Sequence, residues 1–182
     1  MTLLSPSRSL MLVIDIQERL VAVVGEAERI VARTSLLLRA ADLLHVPVLA
    51  SEQYPKGLGA TVPELARLIP SGGVMEKLAF SVTAEPSVLR RLAASGRNQL
   101  VLAGMEAHVC VLQSAMGLKQ AGFEVHVVAD AVGSRRPEDA SRAFGRLHLA
   151  GIEVTTSEMV AFEWARRAGT PQFKAMSRLL RE

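Results

Sequence analysis

The chain has 182 residues, 49% of them hydrophobic, and a formal net charge of +3 at pH 7; this fits one domain, residues 1–182, around one sizeable core and excludes a disordered polymer. A single cysteine rules out an intrachain disulfide and suits a reducing compartment. The 21 basic residues face 18 acidic ones and cluster no further than the pairs Arg90-Arg91, Arg135-Arg136 and Arg166-Arg167, which argues against a nucleic-acid partner.

Short apolar strands alternate with longer helical patterns along the chain. Ser9 to Ile16 reads as the first strand. Its apolar run, Leu10 to Ile14, ends at Asp15 and is too short for a signal peptide, and no stretch approaches a membrane span. The expectation is a cytoplasmic protein with no membrane partner. Glu26 to Leu44 follows as a long amphipathic helix and Val46 to Ser51 as a second strand. Glu52 to Gly59 reads as a loop, rich in turn-forming residues. Thr61 is expected to cap a short helix, with Pro63 in its first turn and Glu64 three residues after the cap.

Gly73 to Glu76 is a weak third strand, and Glu85-Pro86 opens a helix to Ala94. Asn98 to Ala103 is the fourth strand. The apolar residues Val111, Leu112, Ala115, Met116 and Leu118 then recur at helical spacing up to Gly122. Glu124 to Asp130 is a fifth strand, Pro137 to Gly151 a helix, Ile152 to Thr155 a sixth strand, and Ser157 to Ala168 and Pro171 to Leu180 the last helices. Such alternation argues for an α/β fold with a parallel sheet and helices on both faces. In such sheets ligands bind off the carboxyl ends of the strands, near a switch in strand order.

The residues just past the strands therefore carry the functional reading. Asp15 follows the first strand, Glu52-Gln53-Tyr54 the second, Lys77 the third, and the run Glu106 to Cys110 the fourth. An acid, a lysine and a thiol thus leave three strand ends that share one sheet edge. A cysteine in the first turn of a helix feels free backbone N–H groups and the positive end of the macrodipole, both of which favour the thiolate. Asp15 can accept the thiol proton, Lys77 can hold the carboxylate charged, and N–H groups at the helix start can receive an oxyanion. The set suits attack on an amide-like carbonyl through an acyl-thioester. Against it stands the plainer reading of Cys110 as core filler, since free cysteines are among the most buried residues.

Other α/β chemistries lack their signatures. No glycine follows the first strand as a dinucleotide site requires, and neither a phosphate-binding G-x-x-x-x-G-K-[ST] loop nor a G-x-S-x-G elbow is present.

With Val13-Ile14-Asp15-Ile16-Gln17, Lys77-Leu78-Ala79-Phe80-Ser81 and Gly104 to Val111 in this order, the chain resembles the isochorismatase-like family of cysteine hydrolases. Val127 to Ala131 and Ser134-Arg135 add to the likeness, and Glu52 to Gly59 and Thr155 to Glu158 resemble the branch called isochorismatase domain-containing proteins. The resemblance implies a three-layer α/β/α sandwich with a central, mainly parallel sheet of about six strands. It implies Asp15, Lys77 and Cys110 as a catalytic triad, and a cis peptide between Met105 and Glu106 that aims the Glu106 N–H, beside that of Cys110, at an oxyanion. It further implies Gln17 and Phe80 as substrate-binding residues, and a homo-oligomer.

The chain also departs from relatives that hold a metal. Where those carry an aspartate and histidines after the second strand, this chain reads Glu52-Gln53-Tyr54, with no histidine between His45 and His108. No metal and no cofactor are expected, and an available Cys110 favours acyl transfer over vinyl-ether hydrolysis. His108 reads as shaping the turn, and His45, His126 and His148 as structural. The leading expectation is a metal-independent cysteine hydrolase cleaving a C–N bond of a small metabolite. The alternative is a non-catalytic oligomeric scaffold that retains the fold. A redox-sensing Cys110 is a third reading, for which the chain has no resolving cysteine.

Overall fold

Every residue of strand β1 (Ser9–Ile14) is buried, because the strand runs through the middle of a sheet covered on both faces. Its near-continuous apolar run is the sequence form of that position. The structure, a computed structural model describing residues 2–181, contains one six-stranded sheet in the order β3-β2-β1-β4-β5-β6. The other strands are β2 (Val48–Gln53), β3 (Val74–Lys77), β4 (Gln99–Met105), β5 (Glu124–Gly133) and β6 (Glu153–Thr155). All neighbouring pairs are parallel.

Alternation along β1 splits the core in two. Met11 and Val13 join Val101, Ala103 and Val128 on one face, under Ile30, Leu37 and Ala41 of α2 (Ala27–Leu43) and Val160 and Trp164 of α8 (Ser157–Ala165). Leu10, Leu12 and Ile14 face the other way with Leu100, Leu102 and Val127. There they meet Val88 and Leu92 of α5 (Pro86–Ala94), Leu112 and Leu118 of α6 (Leu112–Gln120) and Leu147 of α7 (Pro137–Leu149). The result is the expected three-layer α/β/α arrangement. Trp164 is locked into its layer by donating Nε1–H to the Ser9 hydroxyl across 2.9 Å. The last helix, α9 (Pro171–Leu179), packs on α2 and α8, capped at its start by the Thr170 hydroxyl.

Several details differ from the sequence expectation, the first being that β2 runs on through Gln53, so Glu52 and Gln53 belong to the strand and not to the loop expected from Glu52 to Gly59. The stretch between β1 and α2 and the segment after β2 each hold a single-turn helix, α1 (Glu18–Val21) and α3 (Pro55–Leu58), too short to register as periodic. Thr61 is also not the cap of α4 (Pro63–Ala66); Val62 holds that position. The Thr61 N–H and hydroxyl both bond Glu52 Oε1, at 2.7 Å each, and Thr61 bridges Gln17 in antiparallel fashion, so a longer-range acceptor has won over the local cap. Among the described residues, no helix is long and apolar enough to cross a membrane.

The chain winds outward from β1 to β2 and β3, then returns to place β4 on the other side of β1. That reversal puts a crevice beyond the carboxyl ends of β1 and β4. Gly104 of β4 makes the close pairing possible there. It lies opposite Ile14, and a Cβ at this residue would sit 2.4 Å from the Ile14 carbonyl oxygen.

Candidate active site

Three strands leave the sheet through left-handed residues at this edge: Asp15 after β1 (φ 53°), Tyr54 after β2 (φ 38°) and Glu106 after β4 (φ 41°). Non-glycine residues in this region are uncommon and concentrate where side chains must be re-aimed. Here the first turns Asp15 away from the next strand register. Its N–H stays bonded to the Ser51 carbonyl at 3.1 Å while its carboxylate enters the crevice, fully buried.

Lys77 ends β3, two strands from β1 in the sheet. Adjacent strands lie about 4.8 Å apart, so the gap is roughly 10 Å; a long side chain spans it only if the strand between presents small or matching groups. Ser51 and Gln53 of β2 do so. The Lys77 Nζ donates to Asp15 Oδ2 at 2.7 Å and to Gln53 Oε1 at 2.7 Å, and to the carbonyls of Phe80 at 3.1 Å and Ala79 at 3.3 Å. Ser51 Oγ donates to the other Asp15 oxygen at 2.7 Å. Neither the lysine nor the aspartate side chain is exposed.

Cys110 sits in a π-helical turn, Ala107–Val111, that joins β4 to α6; such turns recur at functional sites. The N–H groups of Val109 and Val111 both bond the Glu106 carbonyl. The Cys110 thiol lies close enough for Asp15 and Lys77 to act on it, so the carboxylate that receives Ser51 and Lys77 also neighbours the thiol. The three residues singled out from separate strand ends therefore meet in one buried cluster.

The electrostatics differ from the expectation of a ready thiolate. Burial, and next the charge of Asp15, push the Cys110 thiol up to about 12, with Lys77 opposing weakly. Burial also raises Asp15 above the ordinary carboxylate value of 3.8, against the pull of Lys77. At rest the cluster is a thiol beside a carboxylate whose proton affinity is enhanced.

The Met105–Glu106 peptide is trans, contrary to the cis bond expected from the family likeness, and no cis peptide occurs among the described residues. The left-handed backbone of Glu106 makes the turn instead. The Glu106 side chain then reaches across to the segment after β5. Its carboxylate accepts the Arg135 backbone N–H at 3.1 Å and Arg135 Nε at 3.2 Å, while His108 Nδ1 meets Ser134 Oγ at 2.9 Å. These contacts tie the Cys110 turn to the β5–α7 connection, consistent with His108 as a turn-shaping residue.

Of the two residues expected at a substrate, Phe80 is 53% exposed beside Lys77. Gln17 is fully buried. Its amide accepts from the Gln53 N–H at 2.8 Å and donates to the carbonyls of Gln53 at 3.1 Å and Gly59 at 2.7 Å. Sequence reasoning placed Gln53 among the residues past the second strand without giving it a part in the triad, and did not single out Ser51. The available signal was their spacing: residues two apart share a face of a strand, and two polar side chains there, at a buried strand end, need a polar purpose.

The candidate residues for a metal are otherwise engaged. Glu52 is bonded to Thr61, and among the described residues no three of His, Cys, Asp or Glu are grouped to hold an ion.

Comparison with known proteins agrees with this architecture. The family model described as the Isochorismatase domain matches residues 9–159. A secreted isochorismatase effector, Isc1, of Phytophthora sojae is 36% identical over 184 residues, covering 98% of this chain and 87% of that one. Isochorismatase domain-containing protein 2 of Danio rerio is 38% identical, covering 97% and 89%. The solved structure of a MAR1 ribonuclease from Caenorhabditis elegans superposes with a TM-score of 0.92 at 34% identity, covering 100% and 93%.

Proposed function

The chain belongs to the isochorismatase family, and from that premise we propose that this hydrolase is a metal-independent cysteine enzyme cleaving an amide-like C–N bond of a small metabolite through an acyl-thioester. The observation that carries the reading is the buried Lys77–Asp15 contact of 2.7 Å with the buried Cys110 thiol close enough to feel both charges. A structural ion pair needs no thiol, and burying one costs several kcal/mol per ion in desolvation.

The chemistry follows from the two proton affinities. With the thiol pushed up to about 12, free thiolate is scarce at neutral pH, so the proton leaves as the sulfur attacks. Cys110 Sγ bonds the carbonyl carbon, the proton passes to Asp15, and the π electrons move to the carbonyl oxygen. The backbone N–H of Cys110 serves in this reading as an oxyanion donor; the family likeness gives the Glu106 N–H the same role through a cis bond, and the trans Met105–Glu106 peptide removes that ground. Collapse restores the carbonyl and expels the amine, which takes the proton from Asp15. Water then attacks the thioester, giving its proton to Asp15; the acid departs and the proton returns to sulfur. Lys77 keeps Asp15 anionic between steps. A carboxylate raised above 3.8 is the better base for this cycle.

Phe80 offers an apolar wall to the substrate, and Gln17 contributes from beneath, through Gln53. Metal independence is supported by the engagement of Glu52 and Gln53 within the protein. A homo-oligomer is supported by large apolar side chains left open at the site's edge, Tyr54, Leu78 and Phe80.

One observation favours the alternative of a non-catalytic oligomeric scaffold: Cys110 is only 5% exposed and its thiol is raised, as for a core residue. The deciding experiment measures turnover of a panel of small primary and secondary amides and ureas, with an RNA oligonucleotide included because a structural relative is a ribonuclease. Amide turnover that disappears in Cys110→Ala is the expected result. Turnover that survives the change refutes the mechanism. An inert wild type that forms one defined oligomer by light scattering favours the scaffold.

A further inference from the structure

The ammonium of Lys77 has three hydrogens and four acceptors, and its two short bonds, 2.7 Å each, go to Asp15 Oδ2 and Gln53 Oε1. These two acceptors differ in one respect. Asp15 is an anion, whereas a glutamine amide is a dipole with no net charge. Both occupy the same cation inside a region closed to water.

Gln53 has little freedom to do anything else. Its Nε2 donates to the Leu78 carbonyl at 2.7 Å, so the amide cannot turn over without setting N–H against ammonium and oxygen against oxygen. Its backbone is gripped at both ends by the Gln17 amide. The side chain is therefore fixed with its oxygen on Lys77.

Resting on the hydrolase reading above, we propose that Gln53 is a positioning residue of the triad: its neutral amide shares the Lys77 ammonium with Asp15 and leaves the Asp15 carboxylate undivided as the anion facing the thiol. A carboxylate at this place would satisfy the ammonium equally well by shape. It would also split the cation's charge between two anions and set a like charge near Asp15, which favours the protonated acid. An acid already protonated cannot accept the thiol proton. The amide thus separates two needs that one carboxylate would confuse, anchoring the lysine and preserving the base.

The other charged groups around Asp15 leave this balance to Gln53. Lys77 comes from β3 and Cys110 from the π turn. Glu85 sits behind the lysine, accepting the N–H groups of Leu78 and Ala79. Glu52 is turned to Thr61 on the far side of β2. Glu106 and His108 on the nucleophile turn face Arg135 and Ser134.

The test reads Asp15 directly. The chain has four aspartates, Asp15, Asp42, Asp130 and Asp139, so carbon-13 labelling of aspartate gives four side-chain carboxyl signals, with Asp15 assigned by its loss in Asp15→Asn. The variants are Gln53→Glu, which keeps the shape and adds charge, and Gln53→Met, which removes both amide bonds without charge. Gln53→Glu is expected to raise the Asp15 titration midpoint by about one pH unit, roughly tenfold less carboxylate at a given pH. Gln53→Met is expected to lower the melting temperature with a smaller shift of the midpoint. An unmoved midpoint in Gln53→Glu overturns the proposal, as does an equal shift in both variants, which would make the role one of packing. Failure of the hydrolase reading is recognised separately: wild-type turnover would then be absent, or indifferent to Cys110→Ala, whatever the midpoint does.

Discussion

Replacing Lys77 by methionine should expose how the buried cluster is balanced. The lysine's Nζ lies 2.7 Å from Asp15 and neither side chain is exposed, so Lys77→Met leaves a carboxylate without counter-charge inside the protein. Removing one partner of a buried pair costs about 3–5 kcal/mol, a large part of the ~5–15 kcal/mol that holds a typical domain folded. Asp15 has one escape, which is to keep its proton. Burial already raises it above 3.8, Lys77 is the largest opposing influence, and without the lysine the Ser51 hydrogen bond and the neighbouring thiol are what remain to favour the anion.

The sign of the pH dependence follows. A group whose folded pKa exceeds its unfolded one binds more protons when folded, so its stabilising contribution is complete below the unfolded value and fades as pH rises through the folded one. Lys77→Met should therefore approach wild-type stability near pH 4 and lose ground above it, by at most about 1.4 kcal/mol per pH unit until Asp15 ionises. The assay is urea unfolding of wild type, Lys77→Met, Asp15→Asn and the double variant across this range. The double variant should be markedly more stable than the sum of the single losses predicts. Additive losses, or a Lys77→Met deficit that does not grow with pH, would refute the buried-pair argument.

Three further outcomes follow from the same structure. Alkylation of native Cys110 at pH 8 should be much slower than in the urea-unfolded chain, where a thiol titrates near ~8.5, because burial pushes the folded thiol up to about 12; a native midpoint below 7 would contradict the resting-thiol description. The same raised value means that this thiol's contribution to stability is lost as pH climbs from 9.0 towards 12, which alkaline unfolding of Cys110→Ser can isolate. Gly104→Ala places a methyl 2.4 Å from the Ile14 carbonyl oxygen in the central strand pair, and overpacking of this kind costs about 1–3 kcal/mol, or roughly 2–4 °C of melting temperature per kcal/mol at this chain length; an unchanged melting temperature would show that β1 and β4 can separate freely.

The strand ends were legible in the sequence because burial on both faces writes parallel strands as apolar runs, and the first polar residue past each run marks the sheet edge. Asp15, Lys77 and Cys110 were found that way. Gln53 was placed past the second strand without a part in the triad and Ser51 was passed over; both lie inside β2, and their importance comes from sitting between β1 and β3, an order that periodicity does not encode. Thr61 misled for a related reason: its acceptor, Glu52, is nine residues away, outside the window in which capping rules operate.

The thiol shows where local argument fails by magnitude. Placing Cys110 at a helix start suggested activation by the macrodipole, an effect worth about 0.3–1 kcal/mol at exposed sites. Burial and the neighbouring Asp15 charge carry it from 9.0 to about 12, which at 1.36 kcal/mol per pKa unit is roughly 4 kcal/mol in the opposite direction. Local position in the chain thus loses to depth in the fold. In the proposed mechanism the thiol's reactivity comes from the neighbouring base, and the depth that suppresses the thiolate also raises the proton affinity of Asp15. One cause, burial, moves acid and base together, so the proton need cross only between neighbours as the sulfur attacks.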